Sequence, residues 1–187
     1  MVDAARGKTV LRRIVPGDHA ILRRWLRDPA VRAGIEDDSI DFTRMQETLA
    51  LFETSDPYRD GGLGLLVERR GQPIGLIHFI WINWISRNAE AVVFVGPGEM
   101  RGSLAAAAVV EKVGYAAFRM LNLHKIYAFI YGHNSTSLSV FKRVMKEEAC
   151  LRAYIKPESP GRHEDVHFFG MLAEEYHAKM QLMKGRF

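Results

Sequence analysis

Between Leu63 and Val95 the chain places three apolar, alternating segments so close together that only one arrangement is open to them. Leu63 to Glu68, Ile74 to Ile82 and Asn88 to Val95 are separated by short turns, one over Arg69 to Pro73 and one at Ser86-Arg87. A parallel pair needs a crossover of roughly a dozen residues or more, so these strands are predicted to fold as an antiparallel meander. The third strand runs directly into Gly96-Pro-Gly-Glu-Met-Arg-Gly102 and then an alanine-rich helix from Ser103 to Leu121. A strand, a glycine-rich turn and a helix N-terminus in succession offer free backbone N–H groups to an anion.

The flanking sequence extends this nucleus in both directions. Val10 to Ile14 reads as a short strand, and Pro16-Gly17-Asp18 turns into a helix capped by Asp18 and broken at Asp28-Pro29. A polar loop carrying Glu36, Asp37, Asp38 and Asp41 leads to a second helix, capped by Asp41 or Thr43 and ending near Glu53. Downstream come a strand over Lys125 to Tyr131, a helix over Ser135 to Lys146, and strands over Leu151 to Ile155 and Val166 to Leu172. The order β-α-α-β-β-β-α-β-α-β-β predicts an α/β (α+β) layer on a mixed sheet. One domain covers 1–187, with 173–187 as a helical extension.

Composition narrows the class of function. Hydrophobic and charged fractions of 48% and 26% are those of a soluble globular protein. The longest apolar run, Pro73 to Ile82, is too short to span a bilayer and is broken by Gly75 and His78. The first residues lack the apolar core of a secretory signal. A single cysteine, Cys150, forms no internal disulfide, which points to a reducing cytoplasm, and it reads as a buried structural thiol. The net charge of +4 suits an anionic ligand. Arg23, Arg24 and Arg27 alternate with Leu22, Trp25 and Leu26 as the wet face of an amphipathic helix, so neither a nucleic-acid nor a membrane partner is expected.

The glycine loop fits neither common nucleotide fingerprint. Gly96-Pro-Gly98 followed by Gly102 is one residue too long for G-x-G-x-x-G, and Gly102-Ser103 lacks the lysine of a Walker loop. The order of elements and several strings instead resemble the GNAT superfamily of acyl-CoA-dependent N-acyltransferases. The family motif Q/R-x-x-G-x-G/A maps onto Glu99-Met100-Arg101-Gly102-Ser103-Leu104; Gly102 matches, whereas Glu99 and Leu104 depart from it. Leu121-Asn-Leu-His-Lys-Ile-Tyr127 and Asn134-Ser-Thr-Ser137-Leu-Ser-Val-Phe-Lys-Arg143 are similar to segments of bacterial spermidine and ribosomal-protein N-terminal acetyltransferases. Ala89-Glu90-Ala91-Val-Val-Phe-Val95 resembles the family strand before the loop, and Gly161-Arg-His-Glu-Asp165 the turn before its last strand.

The resemblance implies a mostly antiparallel sheet with helices on both faces and a pyrophosphate loop between strand 4 and the third helix. It implies acetyl-CoA as co-substrate without a metal, with its arm along Val93, Phe94 and Val95 and its pyrophosphate at Arg101, Gly102, Ser103, Leu104 and Ala105. Asn134, Ser137, Phe141 and Lys142 would complete that site, although Asn134 reads equally well as the cap of the helix that follows it. Acyl transfer to an amine needs a base for the amine and an acid for the leaving thiolate. Glu90 is the first candidate base and Asp165 the alternative; Ser137 is the candidate acid, because Phe141 stands where many relatives carry a tyrosine.

Glu36, Asp37, Asp38 and His78 are the candidate acceptor-side residues, an acidic rim being suited to a polyamine, an aminosugar or a peptide N-terminus. His78, in an apolar strand, reads also as a core histidine. Trp81 and Trp84 alternate poorly for one face, so one is expected at the surface, where a dimer contact is plausible. The departures at Glu99, Leu104 and Phe141 leave a second reading, a catalytically degenerate ligand-binding or assembly protein of the same fold.

Overall fold

The computed structural model describes residues 9–32, 44–96, 104–156 and 162–184. Its strands are β1 (Thr9–Arg13), β2 (Leu63–Arg69), β3 (Gln72–Asn83), β4 (Asn88–Val95), β5 (Lys125–Tyr131), β6 (Lys146–Ile155) and β7 (Glu164–Leu172). The helices are α1 (His19–Leu26), the single turn α2 (Pro29–Arg32), α3 (Met45–Thr54), α4 (Leu104–Gly114), α5 (Ser135–Val144) and α6 (Ala173–Lys184). α4 widens into a π-helical turn over Tyr115–Met120 before β5 begins. The strands form one seven-stranded sheet in the order β1-β2-β3-β4-β5-β7-β6, antiparallel everywhere except between β4 and β5. The meander expected from the short connections is therefore β2-β3-β4.

Alternation along the strands divides the core in two. On one face Leu66, Leu76 and Phe94 pack under α1 and α3 against Leu22, Trp25, Leu49 and Phe52. On the other, Ile77, Phe79, Ala91 and Ile126 meet Val109 and Val113 of α4 and Tyr176 of α6. Ala128, Ile130 and Phe169 continue that second face beneath Leu138 and Phe141 of α5. The amphipathic reading of α1 holds, with Leu22, Trp25 and Leu26 buried and Arg24 and Arg27 in solvent.

Several local expectations are corrected. Asp18 does not cap α1 through its side chain. Its carboxylate accepts instead from the Arg12 guanidinium at 2.7 and 2.9 Å and from the Val15 N–H at 3.0 Å, which ties β1 to the helix. Arg12 also donates to Glu68 on β2 at 2.9 Å, and its hydrogen bonds to Asp18 hold that carboxyl below its ordinary range. β6 starts at Lys146 rather than Leu151, because Lys146, Glu147 and Ala149 already lie in register with β7. As the outer strand of the sheet β6 leaves Cys150 exposed, not buried, with its Sγ 3.8 Å from an Asp165 carboxylate oxygen.

Trp81 is the surface tryptophan. It adopts φ 54° where the β3–β4 register shifts, and is 69% exposed. Trp84 stacks on Tyr58 at 4.8 Å and donates to the Pro57 carbonyl.

Gly64 on β2 is where helix and sheet come closest. A Cβ there would sit 2.8 Å from the Phe52 carbonyl carbon and 3.1 Å from Ile14 Cδ1, so α3 would have to lift from the sheet. We expect Gly64→Ala to lower the unfolding free energy by about 2 kcal/mol in urea denaturation, an overpacking cost, and an unchanged midpoint would show that α3 yields freely.

Candidate functional site

The parallel pairing of β4 with β5 is brief. Asn88, Ala89 and Glu90 face Lys125, Ile126 and Tyr127, and the ladder then stops, although β4 continues to Val95 and β5 to Tyr131. From Ala91 onward β4 is paired only with β3. The two strands thus leave a fork in the middle of the sheet, with one backbone edge of Val93, Phe94 and Val95 turned toward it. Unpaired strand edges bind extended chains carrying amide groups, which makes the fork a slot for a linear ligand.

Glu90 stands at the vertex. It is 9% exposed and lies opposite Ile80 on β3 and Tyr127 on β5. The side chains of Leu76, His78 and Ile80 alternate on the face that carries α1 and α3, and cross-strand neighbours share a face, so Glu90 belongs to that face as well. Burial and the adjacent Glu90 carboxylate push the Tyr127 phenol above its ordinary pKa, so Tyr127 keeps its proton at neutral pH. A carboxylate and a phenol side by side can accept one proton and donate a hydrogen bond.

The other side of the fork is the start of α5. Asn134 caps that helix, its side-chain oxygen accepting the Ser137 N–H at 3.0 Å. Ser137 lies half-buried in the first turn. Phe141 packs on Phe169 at 5.8 Å as a core ring, and the exposed Lys142 pairs with Glu147 at 3.7 Å. The cap reading of Asn134 is therefore realised, which leaves its amide nitrogen outside that bond.

Two candidates are not brought to Glu90. Asp165 accepts the Ala153 N–H at 2.8 Å, and its neighbour Val166 pairs with Tyr131, four residues along β5 from Tyr127 or about 13 Å at strand rise. Asp165 thus supports the β6 bulge rather than joining Glu90. His78, proposed on the acceptor side, is enclosed instead. It is 2% exposed, stands edge-on to Phe52 at 4.9 Å, and neither ring nitrogen has a hydrogen-bond partner. Burial lowers its pKa to about 4, so it is a neutral core ring that a dissolved amine does not reach.

Arg101, Gly102 and Ser103, with Glu99, lie outside the described residues; Leu104 and Ala105 open α4. The acidic Glu36, Asp37, Asp38 and Asp41 also lie outside them. Among the described residues no three His, Cys, Asp or Glu side chains converge as a metal centre requires. No helix there is long and apolar enough to cross a membrane.

Sequence reasoning missed the aromatic side chains beside Glu90. Tyr127, Phe129 and Phe168 form a triad with centroid separations of 5.9, 5.4 and 5.1 Å. The signal was present in Lys125-Ile-Tyr-Ala-Phe-Ile-Tyr131, whose aromatic residues recur at every second position and so share one face.

Residues 8–144 match the model of the acetyltransferase (GNAT) domain. The chain is 31% identical over 106 residues to a spermidine N(1)-acetyltransferase of Vibrio cholerae, covering 55% of this chain and 58% of that protein. It is 28% identical over 79 residues to a spermidine N(1)-acetyltransferase of Escherichia coli K12, covering 42% of each. These matches span less than two thirds of either relative's length. The crystal structure of spermidine N-acetyltransferase from Vibrio cholerae in complex with CoA and spermine aligns with a TM-score of 0.76 at 24% identity, over 90% of this chain and 98% of that one. At that identity the likeness is one of fold.

The enclosed His78 makes a prediction independent of activity. Between pH 6.5 and about 4 the unfolded imidazole takes up a proton that the folded one refuses, so stability is lost as pH falls through that window. Below it the loss is complete. We expect His78→Leu to raise stability at pH 7 by about 1 kcal/mol, by removing a buried unpaired N–H. It should also flatten the acid limb of a stability–pH curve; an unaltered limb would place the acid sensitivity elsewhere.

Proposed function

Because the chain belongs to the GNAT acetyltransferase family, we propose that it transfers an acyl group, acetyl by default, from acyl-CoA to a primary amine of an aliphatic polyamine. The observation that carries this reading is the fork: β4 leaves β5 immediately after Glu90 and Tyr127, so the unpaired strand edge ends at a buried carboxylate. The donor class fits such a slot. Its pantetheine arm is a linear chain with two amides, which the edge groups of Val93 to Val95 can pair with as a strand would. The amide nitrogen of Asn134 would hydrogen-bond the same arm, and the helix N-terminus after Gly102 would face the pyrophosphate.

The acceptor arrives at Glu90 as an ammonium and must lose a proton before it can attack. In the transfer, a bond forms between nitrogen and the acyl carbon and the carbon–sulfur bond breaks. Two protons leave the nitrogen, one before attack and one as the amide forms; the second replenishes a hydroxyl that protonates the sulfur, and the first is passed to solvent. Glu90 receives the first, directly or through water. Tyr127 keeps its own proton beside that carboxylate. Ser137 is the proton source for the thiolate on the opposite side of the fork. The protein otherwise supplies positioning, holding thioester and amine together in a site screened from water. Relatives named spermidine N(1)-acetyltransferase, and a structural neighbour solved with CoA and spermine, support a polyamine over an aminosugar or peptide N-terminus.

The test is CoA-thiol release with acetyl-CoA and spermidine, beside calorimetric binding of acetyl-CoA. Glu90→Gln should lower kcat/KM by about two to four orders of magnitude, the usual contribution of a general base, and leave donor binding in place. Ser137→Ala should lower kcat with little effect on KM for the amine. Binding of acetyl-CoA without release on any polyamine would refute the acceptor assignment; absence of binding would refute the donor assignment and restore the ligand-binding reading.

A further inference from the structure

One row of side chains crosses the sheet at the vertex of the fork. Glu90 on β4 faces Tyr127 on β5, Tyr127 faces Gly170 on β7, and Gly170 faces Lys146 on β6. Gly170 leaves the row flat. A Cβ at that position would overlap the Glu148 carboxylate and come within 2.9 Å of Lys125 Cε. Glu148 therefore lies back across β7 above the glycine, where it pairs with the Lys125 ammonium at 2.5 Å. That ammonium stands over the Phe168 ring, 5.7 Å from its centroid. Tyr127 stands between Glu90 and Gly170 in the row, Phe129 and Phe168 of the neighbouring row pack against it on the same face, and Phe129 is 39% exposed. The opposite faces of β5 and β7 are buried beneath α5, whereas these three rings join none of the buried clusters among the described residues.

An alkylammonium held by a carboxylate over an aromatic face is the arrangement that a protonated amine requires, and Lys125 occupies it from within the chain. Two carboxylates separated by rings are complementary to a molecule with two cationic nitrogens joined by methylenes. The strand of Glu90 and the slot of Glu148 over β7 are two strand spacings apart, about 10 Å. We propose that this row is the acceptor track: the reacting nitrogen sits at Glu90, its alkyl segment crosses Tyr127, Phe129 and Phe168, and the next ammonium displaces Lys125 from Glu148. The track rests on the amine-acetylating reading above and gives it a rule, that a second cationic nitrogen about two strand spacings away is selected. Lys125 is an internal competitor that lowers affinity for monoamines and yields to a second charge.

The experiment pairs hexane-1,6-diamine with heptylamine, molecules of equal length that differ in the second nitrogen. The quantity read is the ratio of their kcat/KM values, with calorimetric binding of spermidine measured on the same variants. Glu148→Gln should reduce the diamine preference about tenfold and weaken spermidine binding to a similar degree. Gly170→Ala, which evicts the Glu148 carboxylate, should act in the same direction. Lys125→Met should tighten spermidine binding by removing the competing cation. A diamine preference and spermidine affinity unmoved by Glu148→Gln and Gly170→Ala would overturn the track. Acetylation of no amine by any variant, with spermidine binding still weakened in Glu148→Gln, would retain the track and refute the catalytic reading alone.

Discussion

The interruption of one parallel ladder governs this molecule. Three residue pairs join β4 to β5, and after Glu90 and Tyr127 the strands separate. A continuous ladder would satisfy the edge groups of Ala91 to Val95 and close the slot. The separation is held on one face by two different helices: α4 packs on β3 and β4, while α5 packs on β5 and β7. Val109 of α4 lies so close to Gly75 of β3 that a Cβ would meet its methyls, 3.1 Å from Cγ1. Two cores that each own one side of the sheet's midline let the strands diverge without exposing apolar surface.

The consequence for chemistry is a carboxylate in a sheltered place. A glutamate in the middle of a strand is costly to bury unless neighbouring groups compensate, and Glu90 has the Tyr127 phenol beside it. A carboxylate at the vertex of the fork stands where a base for an ammonium substrate is needed. His78, two residues from the Ile80–Glu90 pair on the same face, shows the opposite solution. With no partner for either nitrogen it stays neutral and is sealed beneath Phe52.

Much of this was legible in the sequence, for identifiable reasons. Short connections force antiparallel pairing, so β2, β3 and β4 were readable; the Asn134 cap was readable because asparagine before a helical run has one strong use. Glu90 was singled out only through the resemblance of Ala89-Glu90-Ala91-Val-Val-Phe-Val95 to the family strand before the loop; its position at the vertex comes from the pairing of β4 with β5. The beginning of β6 was not, because Lys146-Glu-Glu148 has the composition of a helix end and is a strand only by pairing with β7. Cys150 was misplaced for the same reason: an apolar thiol suggests a core, but an outer strand has little core to offer. Asp18 shows a tertiary partner overriding a local one, since Arg12 claims its carboxylate before the helix can. The slot over Gly170 lay beyond sequence reasoning altogether, because nothing in the local pattern says that a residue from the next strand will lie across that glycine.

A chain with net charge +4 and pI near 9.3 is an unexpected host for a polycation. Long-range attraction would favour anions, such as the phosphates of a CoA donor, and would repel an amine. Local arrangement resolves the conflict, since exposed charges separated by more than about 10 Å are largely screened at physiological salt. Within that distance an amine at the fork meets, among the described residues, the carboxylates of Glu90 and Glu148 and the already paired Lys125, with Lys146 at the far end of the row. The donor can be gathered by the charge of the whole chain and the acceptor by two carboxylates alone. Raised salt should then weaken donor capture more than acceptor recognition at the sheltered end of the row, because the Glu90 carboxylate is removed from bulk screening and the donor's phosphates are not.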